Sequence, residues 1–140
     1  MSNTSSTIET RLATVKVTEG QGASEGAFEL QLEVKDDSGK SITWPAQGSS
    51  AKIDNNGSTY TIDEQLSLFA IGGPVSKKYS LHAIEVDKGF NGQNDEGDGS
   101  TTFDLTPDMS LSAKSVTIPL KTGSREHGQI QVGLTAGPPK

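Results

Sequence analysis

The strongest constraint on the fold is residues 28–35 (FELQLEVK), where apolar and polar residues alternate without interruption. Successive side chains of a β-strand point to opposite faces, so this pattern puts one face against a core and the other in water. Residues 13–18 alternate in the same way. The chain also has 17 serines, 14 threonines and 16 glycines among its 140 residues. Threonine suits a pleated surface and glycine suits turns, so the composition favours many short strands.

Strand patterns separated by turn signals recur every 10–15 residues or so, and no segment has the periodicity of an amphipathic helix. This spacing predicts an all-β chain that forms a single antiparallel β-sandwich of about eight strands, jelly-roll-like or of a related topology. We expect residues 11–136 to form the domain, after a disordered segment 1–10 and before a tail at 137–140. Pro119 suggests an edge strand, and Trp44, which precedes Pro45, is typical of a core plug or a sheet-edge cap.

The formal net charge is −6, which argues against a nucleic-acid partner, because phosphate contacts need a basic face. The absence of cysteine excludes disulfides and thiolate zinc sites. The polar N-terminus lacks the pattern of a signal peptide, and no apolar run is long enough to span a bilayer. We therefore expect a soluble protein without a transmembrane segment, which is either cytoplasmic or exported by a non-classical route.

The acidic residues are concentrated in one part of the chain. Residues 85–108 contain seven acids and one base, so this segment carries the whole net charge of −6. Its centre, residues 85–99, reads as a glycine-rich loop after a strand, dense in carboxylate and carboxamide oxygens. Calcium takes six to eight oxygen ligands, often from one flexible loop, and would offset the repulsion between the carboxylates. The candidate ligands from residue chemistry are Asp87, Asn91, Asp95, Glu96 and Asp98. The alternative is an acidic, solvated hairpin loop without a metal.

Two stretches resemble C2 domains. In one, the strand residues 81–87 end in an acidic pair, residues 94–98 add further acids and a glycine, and a strand resumes at 102–105. In the other, residues 34–39 are similar to the first acidic loop of that family. The resemblance implies a C2-like β-sandwich with calcium-binding loops at one end, which often bridge to anionic lipid. It implies metal contacts at Asp36, Asp37, Asp87, Asp95 and Asp98.

The chain also departs from the C2 pattern. The Ser-Asp-Pro-Tyr stretch of the family is absent, and no basic strand face offers a phosphoinositide site. Phe90 is the only loop residue suited to membrane insertion. Because function depends on sites rather than on folds, the resemblance says more about architecture than about lipid binding.

Catalytic patterns are weak. Residues 22–26 (GASEG) match the nucleophile-elbow motif, but a period-two strand follows them where that motif needs a helix. The two histidines, His82 and His127, form no local zinc motif, and packing or surface roles fit them better. We therefore expect no enzymatic activity.

Two functions of different classes remain. The first is a non-enzymatic calcium-binding β-sandwich module that binds a partner protein, a glycan or a membrane surface. The second is a structural or self-assembling protein, such as a surface, coat or inclusion component, without a metal site. The second rests on the number of β-edges that such a chain exposes, and it would make the protein a homo-oligomer.

Overall fold

The computed structural model describes residues 6–19, 28–45, 51–53, 59–85, 95–122 and 125–139. These residues form nine β-strands and no helix, so the all-β prediction of about eight strands is confirmed. In chain order the strands are β1 (Ser6–Glu19), β2 (Phe28–Asp36), β3 (Ser41–Trp44), β4 (Ala51–Ile53), β5 (Tyr60–Ile71), β6 (Val75–Glu85), β7 (Asp95–Leu105), β8 (Ser112–Thr122) and β9 (Arg125–Gly137). Within the described ranges, nothing resembles a helix long and apolar enough to cross a membrane.

All paired strands are antiparallel, and they run in the order β3-β2-β6-β7-β8-β9-β1-β5, with β4 beside β2. One residue pair, Glu96 with Lys121, joins β7 to β8. The sheet folds over between β7 and β8, where only this one residue pair joins the two strands. As a result, β2, β6 and β7 form one layer over the core, and β8, β9, β1 and β5 form the other. This is the predicted antiparallel β-sandwich.

Side chains of the two layers contact each other both inside the core and at the edges of the sheet. The Tyr79 hydroxyl on β6 lies 2.6 Å from the Thr10 hydroxyl on β1 and donates to the Ser67 hydroxyl on β5 at 3.3 Å. Opposite the fold-over, where the two edges of the sheet approach each other, the ring centroids of Trp44 and Tyr60 lie 5.7 Å apart. These two residues belong to the opposite edges of the sheet, β3 and β5. Trp44 therefore lies at an edge of the sheet and also packs, partly buried, against the core.

Strand β1 begins at Ser6, earlier than the boundary expected at residue 11. Ile8, Thr10 and Leu12 are buried, and after a register shift between Leu12 and Thr14 the buried residues become Val15 and Val17. A β-bulge inserts one residue and exchanges the two faces of the strand. The alternation at residues 13–18 is therefore the second half of a longer strand, whose first half has the opposite phase. The C-terminal strand likewise continues to Gly137.

Pro119 lies in β8, which is inside the sheet order and not at its edge. Proline cannot donate to a ladder, so it is confined to positions where no backbone bond is needed. The single residue pair between β8 and β7 creates such a position, because most of that side of β8 has no ladder to its neighbour. The proline therefore marks the fold-over of the sheet.

Candidate metal site at the β6–β7 end

The predicted acidic loop is shorter than its sequence suggested. Asp95 already begins β7, and pairs with β6 continue from Glu85–Asp95 through His82–Asp98 without a break. The glycines in this stretch serve packing. A Cβ on Gly97 would collide with the Pro119 carbonyl oxygen and lie 2.8 Å from Cγ2 of Ile118, and one on Gly99 would lie 2.5 Å from Cγ1 of Val116. These glycines let β7 cross closely over β8.

Glu85 and Asp95 face each other directly across the β6–β7 pair. Both lie on the core side of their strands, in phase with Tyr79, Leu81 and Ala83, and only 8% of Glu85 and 4% of Asp95 is exposed. Like charges directly opposite each other in a sheet repel, and removal from water strengthens the repulsion. These two carboxylates lie where β6 ends and β7 begins, on either side of residues 86–94 in the chain.

Glu96 and Asp98 point to the opposite, outer face of β7, where they flank His82 of β6. The ring Nδ1 of His82 lies 2.7 Å from Oδ1 of Asp98, and Nε2 lies 2.8 Å from Oε1 of Glu96. Burial acts to lower the pKa of His82, but the hydrogen bonds to Asp98 and Glu96 outweigh it and raise the pKa above its ordinary value. Because the two ring nitrogens point apart, the two carboxylates are spread on either side of the ring and do not converge.

Asp36 and Asp37 lie at the other end of the sandwich. Asp36 pairs with Tyr79, while Leu30, at the opposite end of β2, pairs with Glu85. Six residues of strand at about 3.3 Å each put about 20 Å between the two ends. The structure therefore does not bring Asp36 and Asp37 together with Asp95.

Asp36 closes the turn between β2 and β3. Its Oδ1 accepts hydrogen bonds from the Ser38 N–H at 3.0 Å, the Ser38 hydroxyl at 2.6 Å and the Lys40 N–H at 3.0 Å. Burial acts to raise the pKa of Asp36, but these bonds and the charge of Lys77 prevail and hold the pKa below its ordinary value. Asp37 accepts a hydrogen bond from the Lys78 N–H at 3.2 Å. Both carboxylates are thus used by the protein itself.

Lys77 and His82 both contact acidic residues that the sequence did not predict as their partners. Lys77 Nζ lies 3.4 Å from Asp36 Oδ2 and 3.7 Å from Asp37 Oδ1, and 5.1 Å from the ring centroid of Phe69 on the other layer. The alternation of β6 could have placed Lys77 on the core face, in phase with Tyr79. It could not have shown that two acids meet it there, because that depends on the register of β2.

Several residues of the predicted sites lie outside the part of the chain that the structure describes. Asp87, Asn91 and Phe90 fall in residues 86–94, the GASEG motif falls in residues 20–27, and the side chain of His127 is also not described. Among the residues that are described, no three histidine, aspartate or glutamate side chains are close enough to hold one metal ion. A complete calcium site at the Glu85–Asp95 end would therefore need oxygen ligands beyond the described side chains, and residues 86–94 offer several.

The chain has little likeness to known proteins at the level of sequence. No protein-family model matches it, and no curated protein does either. Among solved structures, the chain is similar to a C2 domain of plant extended synaptotagmin 1, with 13% sequence identity, a TM-score of 0.45 and 96% of each chain covered. That domain belongs to the family that the two acidic stretches resemble.

Proposed function

We propose that this protein is a non-enzymatic, calcium-binding β-sandwich module, with its cation at the Glu85–Asp95 end. The observation that carries the proposal is the pair of buried carboxylates that face each other at the root of residues 86–94. Whatever else these carboxylates contact, their mutual repulsion falls when a divalent cation lies between them.

The chemistry of the available donors favours calcium. Calcium is a hard cation that takes oxygen ligands, and residues 86–94 contain Asp87, Asn91 and further carboxamides in addition to the two buried carboxylates. Thiolate ligands are missing, since the chain has no cysteine. The nearby histidine, His82, lies on the outer face between Glu96 and Asp98. The ligand set that we propose is Glu85 and Asp95 with Asp87 and Asn91, and it omits Asp36, Asp37, Glu96 and Asp98.

Such a site would make binding to a partner depend on calcium. When a protein supplies fewer than the six to eight oxygens that calcium takes, water or oxygens of a partner complete the shell. The partner would therefore present an anionic oxygen group, such as a carboxylate or a phosphate, next to the cation. Phosphatidylserine vesicles, with phosphatidylcholine vesicles as the neutral control, test one such surface with and without calcium.

Thermal unfolding in calcium and in chelator tests the site directly. A ligand at 100 times its Kd stabilises the folded state by about 2.7 kcal/mol, so the wild type should melt at a higher temperature in calcium. Asp95→Asn should abolish this shift. Asp98→Asn is the matched control on the same strand, and it should keep the shift because its side chain lies on the outer face.

An unchanged wild-type midpoint at millimolar calcium would contradict the proposal. So would a calcium shift that survives in Asp95→Asn and disappears in Asp98→Asn, because the cation would then lie on the outer face. Vesicle binding that is equal in calcium and chelator would leave the cation site standing and remove its role in binding membranes.

A further inference from the structure

Among the strands that the structure describes, β5 is the longer of the two edges of the sheet. It ends the strand order, and its 12 residues compare with four in β3 at the other edge. An edge strand presents unpaired N–H and C=O groups to any strand that approaches, and a long, regular edge invites pairing with another chain. Leu68, on the outer face of β5, is 52% exposed and adds an apolar side chain to this edge.

The regularity of β5 is broken in its first half. The pairing between β5 and β1 shifts register between Thr10 and Arg11 and again between Leu12 and Thr14. At the second shift Asp63 has a φ of 58°, the only described non-glycine residue with a positive φ. A bulge disrupts the two-residue period of the backbone groups, so a straight partner strand cannot bond along the whole edge. The longest regular stretch left is residues 67–71, opposite residues 6–10 of β1.

Arg11 holds this bulge from the neighbouring strand. Its Nε donates to Oδ1 of Asp63 at 2.8 Å, and its Nη2 donates to the Asp63 backbone carbonyl at 2.6 Å. The same guanidinium donates through Nη1 to Oε2 of Glu9 at 2.9 Å, and Gln65 Nε2 donates to that oxygen at 2.7 Å. The guanidinium therefore contacts both the side chain and the backbone of the residue with the left-handed conformation. A fixed fork of donors suits this arrangement, which a lysine could not reproduce.

We propose that Arg11 and Asp63 form a clamp that keeps the β5 edge bulged and prevents it from pairing with β5 of a second copy of this chain. The clamp acts on the backbone, because the left-handed conformation at Asp63 interrupts the row of edge groups. It is independent of calcium and of the Glu85–Asp95 end.

Two substitutions at Asp63 separate the backbone conformation from the loss of charge. Asp63→Asn and Asp63→Thr both remove the carboxylate and stay polar, but asparagine adopts the left-handed conformation readily and β-branched threonine does not. By sedimentation velocity across a range of concentrations, we expect Asp63→Thr to associate at least about tenfold more tightly than Asp63→Asn. Hydrogen exchange at residues 67–71 of Asp63→Thr should slow as the protein concentration rises.

If both variants are folded and sediment alike, the proposal is overturned. If Asp63→Thr does not fold, Arg11→Gln against the wild type becomes the deciding pair. Association of Arg11→Gln, with concentration-dependent protection at residues 67–71, supports the clamp. A variant that stays monomeric at every concentration, or associates without protection there, refutes it.

Discussion

The two ends of this sandwich both carry acidic residues, but they treat them differently. At the turn end, Asp36 and Asp37 meet Lys77 and the N–H groups of their own turn and of β6. At the loop end, Glu85 and Asp95 face each other across two strands. The comparison teaches that the number of acids in a segment does not tell which of them lie together. What matters is which groups the fold brings to each carboxylate.

The first prediction concerns the close packing of β7 on β8 near the loop end, and it has the largest expected effect. Gly97→Ala should destabilise the protein by about 3 kcal/mol, because its Cβ would collide with the Pro119 carbonyl and overpack the crossing of β7 over β8. Gly73→Ala, in the turn between β5 and β6, is the control, since nothing lies within 4 Å of its Cβ. Urea unfolding measures both. Equal costs at the two glycines would show that the strands do not cross as closely as described.

The second prediction tests whether the turn end is held by its own carboxylate. Asp36→Ala should cost about 2 kcal/mol, because it leaves the Ser38 and Lys40 donors without their acceptor and removes the nearer of the two carboxylates from Lys77. Asp37→Ala is the neighbouring control, and it should cost less than about 1 kcal/mol, because Asp37 is exposed. Both variants should keep the calcium shift of the melting midpoint. Loss of that calcium shift in Asp36→Ala would mean that Asp36 and Asp95 belong to the same calcium site, which would contradict the separation of the two ends.

The third prediction concerns how the contributions of Asp36 and His82 to the free energy of unfolding depend on pH, and it has the smallest expected effect. The pKa of Asp36 is lowered in the folded state, so its contribution to stability is present above the ordinary carboxyl pKa and is lost as the pH falls through the folded value. The pKa of His82 is raised, so its contribution is complete below the ordinary value, about 6.5, and is lost as the pH rises through the folded value. Partial exposure of His82 keeps its contribution small.

Unfolding free energies measured from acid to mildly alkaline pH, for the wild type and for His82→Gln, give the size of the His82 contribution. An NMR titration of the imidazole gives its pKa, which should fall in Asp98→Asn and in Glu96→Gln. A pKa of His82 at or below its ordinary value in the wild type would contradict the hydrogen bonds on both sides of the ring.

Much of the fold followed from local pattern. The alternation of residues 28–35 predicted β2 and its buried face, since the period of a strand is set by backbone geometry alone. The segment around Gly97 and Gly99 was predicted to be a loop, because glycines are typical of loops. The local sequence of β7 does not show that β8 packs against these two glycines. The early start of β1 was missed because the bulge at Leu12–Thr14 reverses the phase that the later residues show.

For the candidate site, the sequence by itself determined the chemistry. It concentrated the net charge in residues 85–108, excluded thiolate ligands and supplied oxygens that suit calcium. Only the tertiary structure decided which acids share a place. Strand register puts Asp36 and Asp95 at opposite ends, and strand alternation puts Asp95 on the core face and Asp98 on the outer face. The physical reason is that register and layer packing depend on contacts between residues distant in the chain, which no local spacing records.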